Sequence, residues 1–270
     1  MEFKTLAVMQ LGAVAVVTLD RAAKANAMEE AMWHELRVAM LWADEAPGVR
    51  VVVLNGAGKH FTAGIDLAML AGIAEHIRHE DEARGREKLR RLILDLQDTI
   101  TSVERCRKPV IAAIHGACIG GGIDLITACD MRYCSAEARF SVKEIDVGMT
   151  ADVGTLQRLP RLVGEGMARA LAYTGRTFDA ADAKDMGLVN RVFETPDALQ
   201  AGVMEIANTI AAKSPLAIRG CKEMITYARD HSVADSLNHV ATWNAAMLMS
   251  RDLVEAGAAA REKRLPVFGD

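Results

Sequence analysis

Three carboxylates and a run of glycines are the residues in this chain best suited to moving protons and holding negative charge. The glycines, Gly120-Gly121-Gly122, lie within Lys108–Asp130 (KPVIAAIHGACIGGGIDLITACD). Glycine lets a ligand approach bare backbone. A helix that opens there leaves N–H groups unpaired and pointing outward. A strand feeding such a start suits an oxyanion or a phosphate equally well. Asp124 stands three residues beyond Gly121, and Glu144 and Asp152 follow with Gly148 between them. Carboxyls beside such a site are fit for general acid–base work. Each also has a plainer reading. Asp124 suits a first helical turn, where the dipole favours an acid. Asp152 suits the N-cap of the helix after it. Glu144 suits a solvated end of a strand over Phe140–Glu144.

The elements that must position these groups read as alternating strands and helices. Val14–Leu19, Val49–Asn55 and Val110–Ile114 are β-rich runs and predict strands. Asn26–Ala43 carries Met28, Met32, Leu36, Val38 and Met40 at helical spacing, with Asn26 as the expected N-cap. Gly56–Asp66 (GAGKHFTAGID) is a loop of glycine and small residues. Ala68–Val103 reads as mostly helical, interrupted by a polar loop over His76–Arg84. Gly121–Ala128 predicts a helix, and Asp130–Cys134 and Arg139–Val142 predict short strands. After a loop over Gly148–Gly154, short helices are expected at Thr155–Leu162, Met167–Thr174 and Ala180–Met186. Leu188-Val189 and Val192-Phe193 suggest a last strand. From Asp197 onward the pattern is helical: Ala198–Ala212, Leu216–Arg229, Val233–Met249 and Leu253–Glu262. The expectation is an α/β core over residues 1–196 holding the active site, followed by a helical region over 197–270. Met224, Met247, Met249 and Ala256–Ala260 suit a helix face packed on another subunit or folded onto its own core.

Composition removes several function classes. A chain of 270 residues that is 51% hydrophobic can bury a full core. Its net charge of -4 gives no general attraction to nucleic acid or an anionic membrane. Five cysteines, an odd number without a CxxC pair, predict reduced thiols packed as small apolar residues in a cytosolic protein. No apolar run reaches the length of a membrane span, and Met1–Gln10 does not read as a signal peptide. GxGxxG, P-loop, GxSxG and HExxH patterns are absent, and the seven histidines show no metal-ligand spacing. His115 reads as a structural residue at a strand end.

Two stretches carry a resemblance: FTAGIDL (Phe61–Leu67), and HGACIGGGIDL through VKEIDVGMTADVGTLQRLPRLVG (His115–Gly164). They resemble the enoyl-CoA hydratase/isomerase (crotonase) superfamily, and within it the Δ(3,5)-Δ(2,4)-dienoyl-CoA isomerases of β-oxidation. RDHSVADSLNHVATWNAAML (Arg229–Leu248) extends the likeness into the helical region. The resemblance implies a crotonase-like spiral of ββα units. It implies C-terminal helices that build a homotrimer, often a dimer of trimers. It also implies an acyl-CoA thioester substrate, with coenzyme A part of that substrate and no separate cofactor. The backbone N–H groups of Ile65 and Gly121 would form the oxyanion hole, with Ala63, Gly64, Ile65, Asp66, Leu67 and Gly121 around the substrate. Hydratases of the superfamily carry glutamates at the positions of Asp124 and Glu144, and typically glycine at that of Asp152. An acid at 152 matches the isomerases and implies a proton shift from C2 to C6. The expected assignment is Asp152 at C2, Glu144 at C6, and Asp124 tuning the site. Thr150 departs from the alanine expected there; its hydroxyl could donate to Asp152. Lys59 and the run Arg84–Arg91 are candidates for the coenzyme A phosphates, the run reading equally as a solvated helix face. The rival activities are 2-enoyl-CoA hydration and, with less support, RNA binding through that run.

Overall fold

The computed structural model describes residues 2–269. Strands β1 (Leu6–Leu11) and β2 (Val14–Leu19) form a hairpin, followed by helix α1 (Glu30–Glu45) and strand β3 (Val51–Gly56). Helices α2 (Leu67–His76) and α3 (Glu82–Arg105) lead to β4 (Val110–Ile114), β5 (Ala117–Ile119) and α4 (Gly121–Ala128). Then come β6 (Met131–Ser135), β7 (Arg139–Ser141), a 3-10 turn over Glu144–Val147, α5 (Thr155–Val163) and α6 (Glu165–Thr174). β8 (Phe178–Asp179), α7 (Ala180–Asp185) and β9 (Arg191–Phe193) precede four helices: α8 (Pro196–Ala211), α9 (Pro215–Tyr227), α10 (Val233–Met247) and α11 (Arg251–Glu262).

The larger sheet runs β1-β2-β3-β4-β6-β9, parallel apart from the β1–β2 hairpin. The smaller one, β5-β7-β8, stands beside it. Successive side chains of a strand face opposite sides of its sheet. Ala15, Val17, Val52, Leu54, Val110 and Ala112 therefore join the main core with α1, α3 and α4. Val14, Val16, Val51, Val53, Ile111 and Ala113 join a second core on the other face. Helix α8 covers that second face with Leu199, Val203, Ala207 and Ala211, which recur at helical spacing. Parallel strands need cover on both sides, so the first helix beyond residue 196 is part of the core rather than of an appendage.

Several local expectations change. Asn26 does not cap α1: the helix starts four residues later, and its N-cap position, Glu29, makes no side-chain cap bond. Asn26 is buried in a left-handed conformation (φ 53°). Its amide donates to the Ala57 carbonyl at 2.9 Å and the His60 carbonyl at 2.7 Å, and its Oδ1 accepts from Arg21 N–H at 2.9 Å. It ties two loops together, a role without a local periodic signal. Glu144 opens a 3-10 turn instead of ending a strand. Asp152 is not an N-cap, since Gly154 occupies that position of α5. The hairpin strand β1 is mostly exposed beyond Leu6, and β5 and β8 hold three and two residues. β5 and β8 are too short to carry a pattern, and β1 buries too few of its side chains to show one. Leu188 and Val189 are buried but lie outside β9.

Candidate active site

Loop Gly56–Asp66 meets the start of α4 at the centre of the molecule. A bridge between Met28 and Ile65 sets the geometry: Met28 N–H donates to the Gly64 carbonyl at 2.8 Å, and Asp66 N–H donates to the Met28 carbonyl at 3.0 Å. In a parallel bridge the middle residue turns its own N–H to the opposite side. The N–H of Ile65 thus points away from Met28, and it donates to no backbone group among the described residues. Gly121 lies on that side: a Cβ built on it would stand 3.6 Å from Ile65 N. The Gly121 N–H, at the first position of α4, is likewise free of backbone partners. Gly64 permits this approach. It adopts φ 88°, and any Cβ there would come within 2.6 Å of the Ile119 carbonyl oxygen. The result is two convergent backbone donors backed by a helix start, an arrangement that stabilises an oxyanion.

Asp124, Glu144 and Asp152 line one cavity of about 420 Å³ together with Ile65 and Gly121. The rest of its wall is apolar, chiefly Trp33, Leu70, Ile73, Ile77, Leu92 and Leu96. Asp124 is fully buried on α4. Its Oδ1 accepts the Thr155 N–H at 2.6 Å, so it holds the first turn of α5 in place, while Oδ2 has no partner. Burial, then the charge of Glu144, pushes its pKa up to about 7. Glu144 Oε2 is also buried without a partner. The Glu144 carboxyl lies against Gly120, whose missing side chain leaves room for it. Burial and, in part, the charge of Asp152 raise Glu144 as well. Asp152 is half-buried and raised by desolvation. Three carboxyls sharing an apolar chamber oppose one another's ionisation, which favours holding a proton in the site.

The six residues expected around the substrate divide. Ile65 and Gly121 line the acid cavity, and Gly64 is buried behind them. Ala63 and Leu67 are exposed outside it. Asp66 caps α2 by accepting Ala68 N–H at 2.9 Å. Its hydrogen bond with Arg21, 3.0 Å apart, holds its carboxyl below the usual range. Asp66 belongs to a neighbouring polar basin that also contains Lys4, Arg21, Lys24 and His76, and that shares Ile73 and Leu92 with the acid cavity. Glu29 and Glu30 line it too, and Arg21 pairs with both Glu29 and Asp66, so the basin mixes three bases with three acids. Sequence reasoning missed this group, whose only signal was the basic pair at 21 and 24 ahead of Asn26. Lys59 instead lines a separate cavity with His60 and His115. His115 Nε2 lies 2.9 Å from the Gly58 carbonyl, and His60 Nδ1 accepts the Ala117 N–H at 3.1 Å, so both imidazoles hold loops. Most of Arg84–Arg91 is exposed, with Arg86–Glu82 and Arg91–Glu87 paired one turn apart, the arrangement of a solvated helix face. Thr150 is exposed and makes no hydrogen bond to Asp152. Among the described residues no group of three or more His, Cys, Asp or Glu could hold a metal ion, and no helix is long and apolar enough to cross a membrane.

A spiral α/β core with two backbone donors facing buried carboxyls defines an enzyme of enolate chemistry, and the chain belongs to the enoyl-CoA hydratase/isomerase family, whose model matches residues 10–270. It is 48% identical to the peroxisomal Δ(3,5)-Δ(2,4)-dienoyl-CoA isomerase of Arabidopsis thaliana, over 98% of this chain and 97% of that protein. It is 47% identical to the mitochondrial Δ(3,5)-Δ(2,4)-dienoyl-CoA isomerase of Homo sapiens, over 92% of this chain and 76% of that one. Among solved structures, an enoyl-CoA hydratase from Bacillus anthracis superposes with a TM-score of 0.90 at 34% identity, covering 98% of this chain and 99% of its own.

Proposed function

We propose that this protein converts a 3,5-dienoyl-CoA to the 2,4-dienoyl-CoA by a 1,5 proton shift. The observation that carries the reading is Asp152 in the acid cavity with Glu144, opposite the Ile65 and Gly121 donors. A thioester carbonyl in that hole acidifies C2. The Asp152 carboxylate takes a C2 proton, and the electron pair delocalises through the 3,5-diene as an extended enolate held by the two N–H groups. Protonated Glu144 then delivers its proton to C6, leaving the 2,4-diene. C2 and C6 are too far apart for one carboxyl to serve both, which is why the reaction needs two. Asp124, whose own pKa the charge of Glu144 helps to raise, stays protonated beside the pair and buttresses α5. Ile73, Ile77, Leu89, Leu92 and Ile93 offer the acyl tail an apolar bed. Lys4 and Lys24, on a basin whose wall also carries Glu29, Glu30 and Asp66, are the candidates to meet the anionic coenzyme A phosphates.

The test is to incubate the purified protein with a 3,5-dienoyl-CoA and follow the ultraviolet absorption of the conjugated 2,4-product. Rapid hydration of a 2-enoyl-CoA with no such signal would replace the isomerase reading with the hydratase one.

The active form is a homotrimer, alone or paired. Helix α10 has no buried residue, and Val233, Leu237, Leu248, Met249 and Val254 stand exposed along α10, α11 and their connection. Exposed apolar side chains of this number, on and beside a helix without buried residues, suit a protein interface. Light scattering should give three or six chains, and Leu237→Asp should shift the mass toward the monomer. The five cysteines are free, four of them buried, which fits the cytosol or another reducing compartment.

A further inference from the structure

Asp152 borders two chambers. With Val153 it lines the apolar acid cavity and also a second cavity of about 500 Å³ on its other side. The second cavity is walled by Gln97, Thr101 and Glu104 of α3 and by Gln157, Arg158 and Arg161 of α5. Neither Asp124 nor Glu144 reaches it. Its wall is held together by polar contacts. Gln97 Nε2 donates to the Asp152 carbonyl at 2.6 Å. Arg158 donates to Glu104 at 3.0 Å and to Thr101 at 3.3 Å, and Arg229 pairs with the same glutamate. A water needs only about 30 Å³ and two to four polar partners, so this chamber suits several waters. The acid cavity does not: apart from its carboxyls it is apolar, and a bound acyl chain would fill it.

We propose that the polar cavity is a proton port for Asp152. This deepens, and rests on, the isomerase reading. The proton abstracted from C2 passes from the Asp152 carboxyl to water in the port while the acyl chain still occupies the other side. The carboxylate is regenerated and the water carries the proton to bulk, so charge and atoms balance. Glu144 has no such outlet on this side, because it does not border the port and opens only onto the cavity that the acyl chain fills. The two carboxyls therefore differ in access to solvent: Asp152 equilibrates with water within a catalytic cycle, whereas Glu144 recovers its proton only between cycles. Gln97 acts as a positioning residue that fixes the Asp152 backbone between the chambers.

The asymmetry is readable with isotopes. Wild-type protein is allowed to convert a 3,5-dienoyl-CoA in D2O to low extent, and the unreacted substrate is recovered for mass spectrometry and NMR. Deuterium at C2 of that recovered substrate, in an amount comparable with the product formed, is the expected result. Thr226 also lines the port, and the double variant Gln157→Leu/Thr226→Leu puts two apolar groups on its wall. It should lower the ratio of C2 exchange to conversion about tenfold by excluding water, while the first-turnover rate stays unchanged. Gln157→Asn/Thr226→Ser, which keeps the wall polar, should retain the wild-type ratio. Conversion without C2 deuterium in the wild type, or an unchanged ratio in the leucine variant, overturns the port alone. Absence of both conversion and exchange in the wild type overturns the isomerase reading instead.

Discussion

Replacing Gly64 with alanine tests the oxyanion hole without touching a charged group. Two separate costs follow from the structure. The first is conformational, since φ 88° is unfavourable for an L-residue; residues forced into left-handed backbone lose roughly 1–2 kcal/mol. The second is steric. The new Cβ would stand 2.6 Å from the Ile119 carbonyl oxygen and 3.2 Å from Gly121 N. The first of these is about 0.8 Å inside ordinary van der Waals contact. Both neighbours are backbone and cannot rotate away, so the loop carrying the Ile65 N–H must move off the helix start. Loss of one such donor costs about 10²–10³ in kcat, or roughly 2.7–4 kcal/mol of transition-state stabilisation. Gly12→Ala separates the two costs. Gly12 also has positive φ (61°), but a Cβ there meets nothing within 4 Å. It should lose about 1 kcal/mol of stability and keep full activity. Steady-state kinetics and denaturant midpoints on the three proteins decide the matter. A folded Gly64→Ala enzyme with kcat within a few-fold of wild type would refute the assignment of Ile65 and Gly121 to the transition state.

The remaining expectations concern the carboxyls and Asn26. Asp152→Asn and Glu144→Gln should each lower kcat by about 10²–10⁴ with acyl-CoA affinity preserved, as calorimetric titration with a product analogue would show; a fully active Asp152→Asn removes it from the chemistry. Asp124 keeps its proton in the folded state up to about pH 7, whereas its unfolded-state value is about 3.8. The native state then binds more protons than the unfolded chain between about pH 4 and pH 7, so this group's contribution to stability falls as pH rises through that window. Asp124→Asn should flatten this part of the stability profile, measured by urea denaturation at several pH values. Asn26→Ala strands the Ala57 and His60 carbonyls and the Arg21 N–H. At ~1–3 kcal/mol per buried unsatisfied group, it should lower the denaturant midpoint far more than the loss of a helix cap would.

Local pattern carried much of the fold. Val14–Leu19 and Val110–Ile114 read as strands because they are short apolar runs with β-branched residues, and both strands span those residues in the structure. The glycine helix was legible to the residue, Gly121–Ala128, because glycine and a following apolar run mark its start. The hairpin strand β1 was not legible, since most of its side chains face solvent and it is held mainly by the ladder with β2. Asn26 misled because a residue that caps helices also tolerates φ above zero and bonds stray carbonyls. The extent of the core was misjudged at residue 196, because α8 is amphipathic like the helices after it. Only contact with the sheet distinguishes it from them.

What the sequence determined by itself is the set of chemical parts: the two glycine-bearing loops, the three acids at 124, 144 and 152, and the family that combines them. Those follow from residue type and order. Where the parts meet was decided by tertiary structure. The Met28–Ile65 bridge turns one N–H toward Gly121, and Asp124 accepts from Thr155, bringing Asp152 onto the cavity that Glu144 lines. Burial then raises all three carboxyls. The separation of a dry side from a polar side at Asp152 is also tertiary, because it arises from α3 and α5 closing around one loop. Desolvation depends on which atoms surround a carboxyl, and those atoms come from segments far apart in the chain.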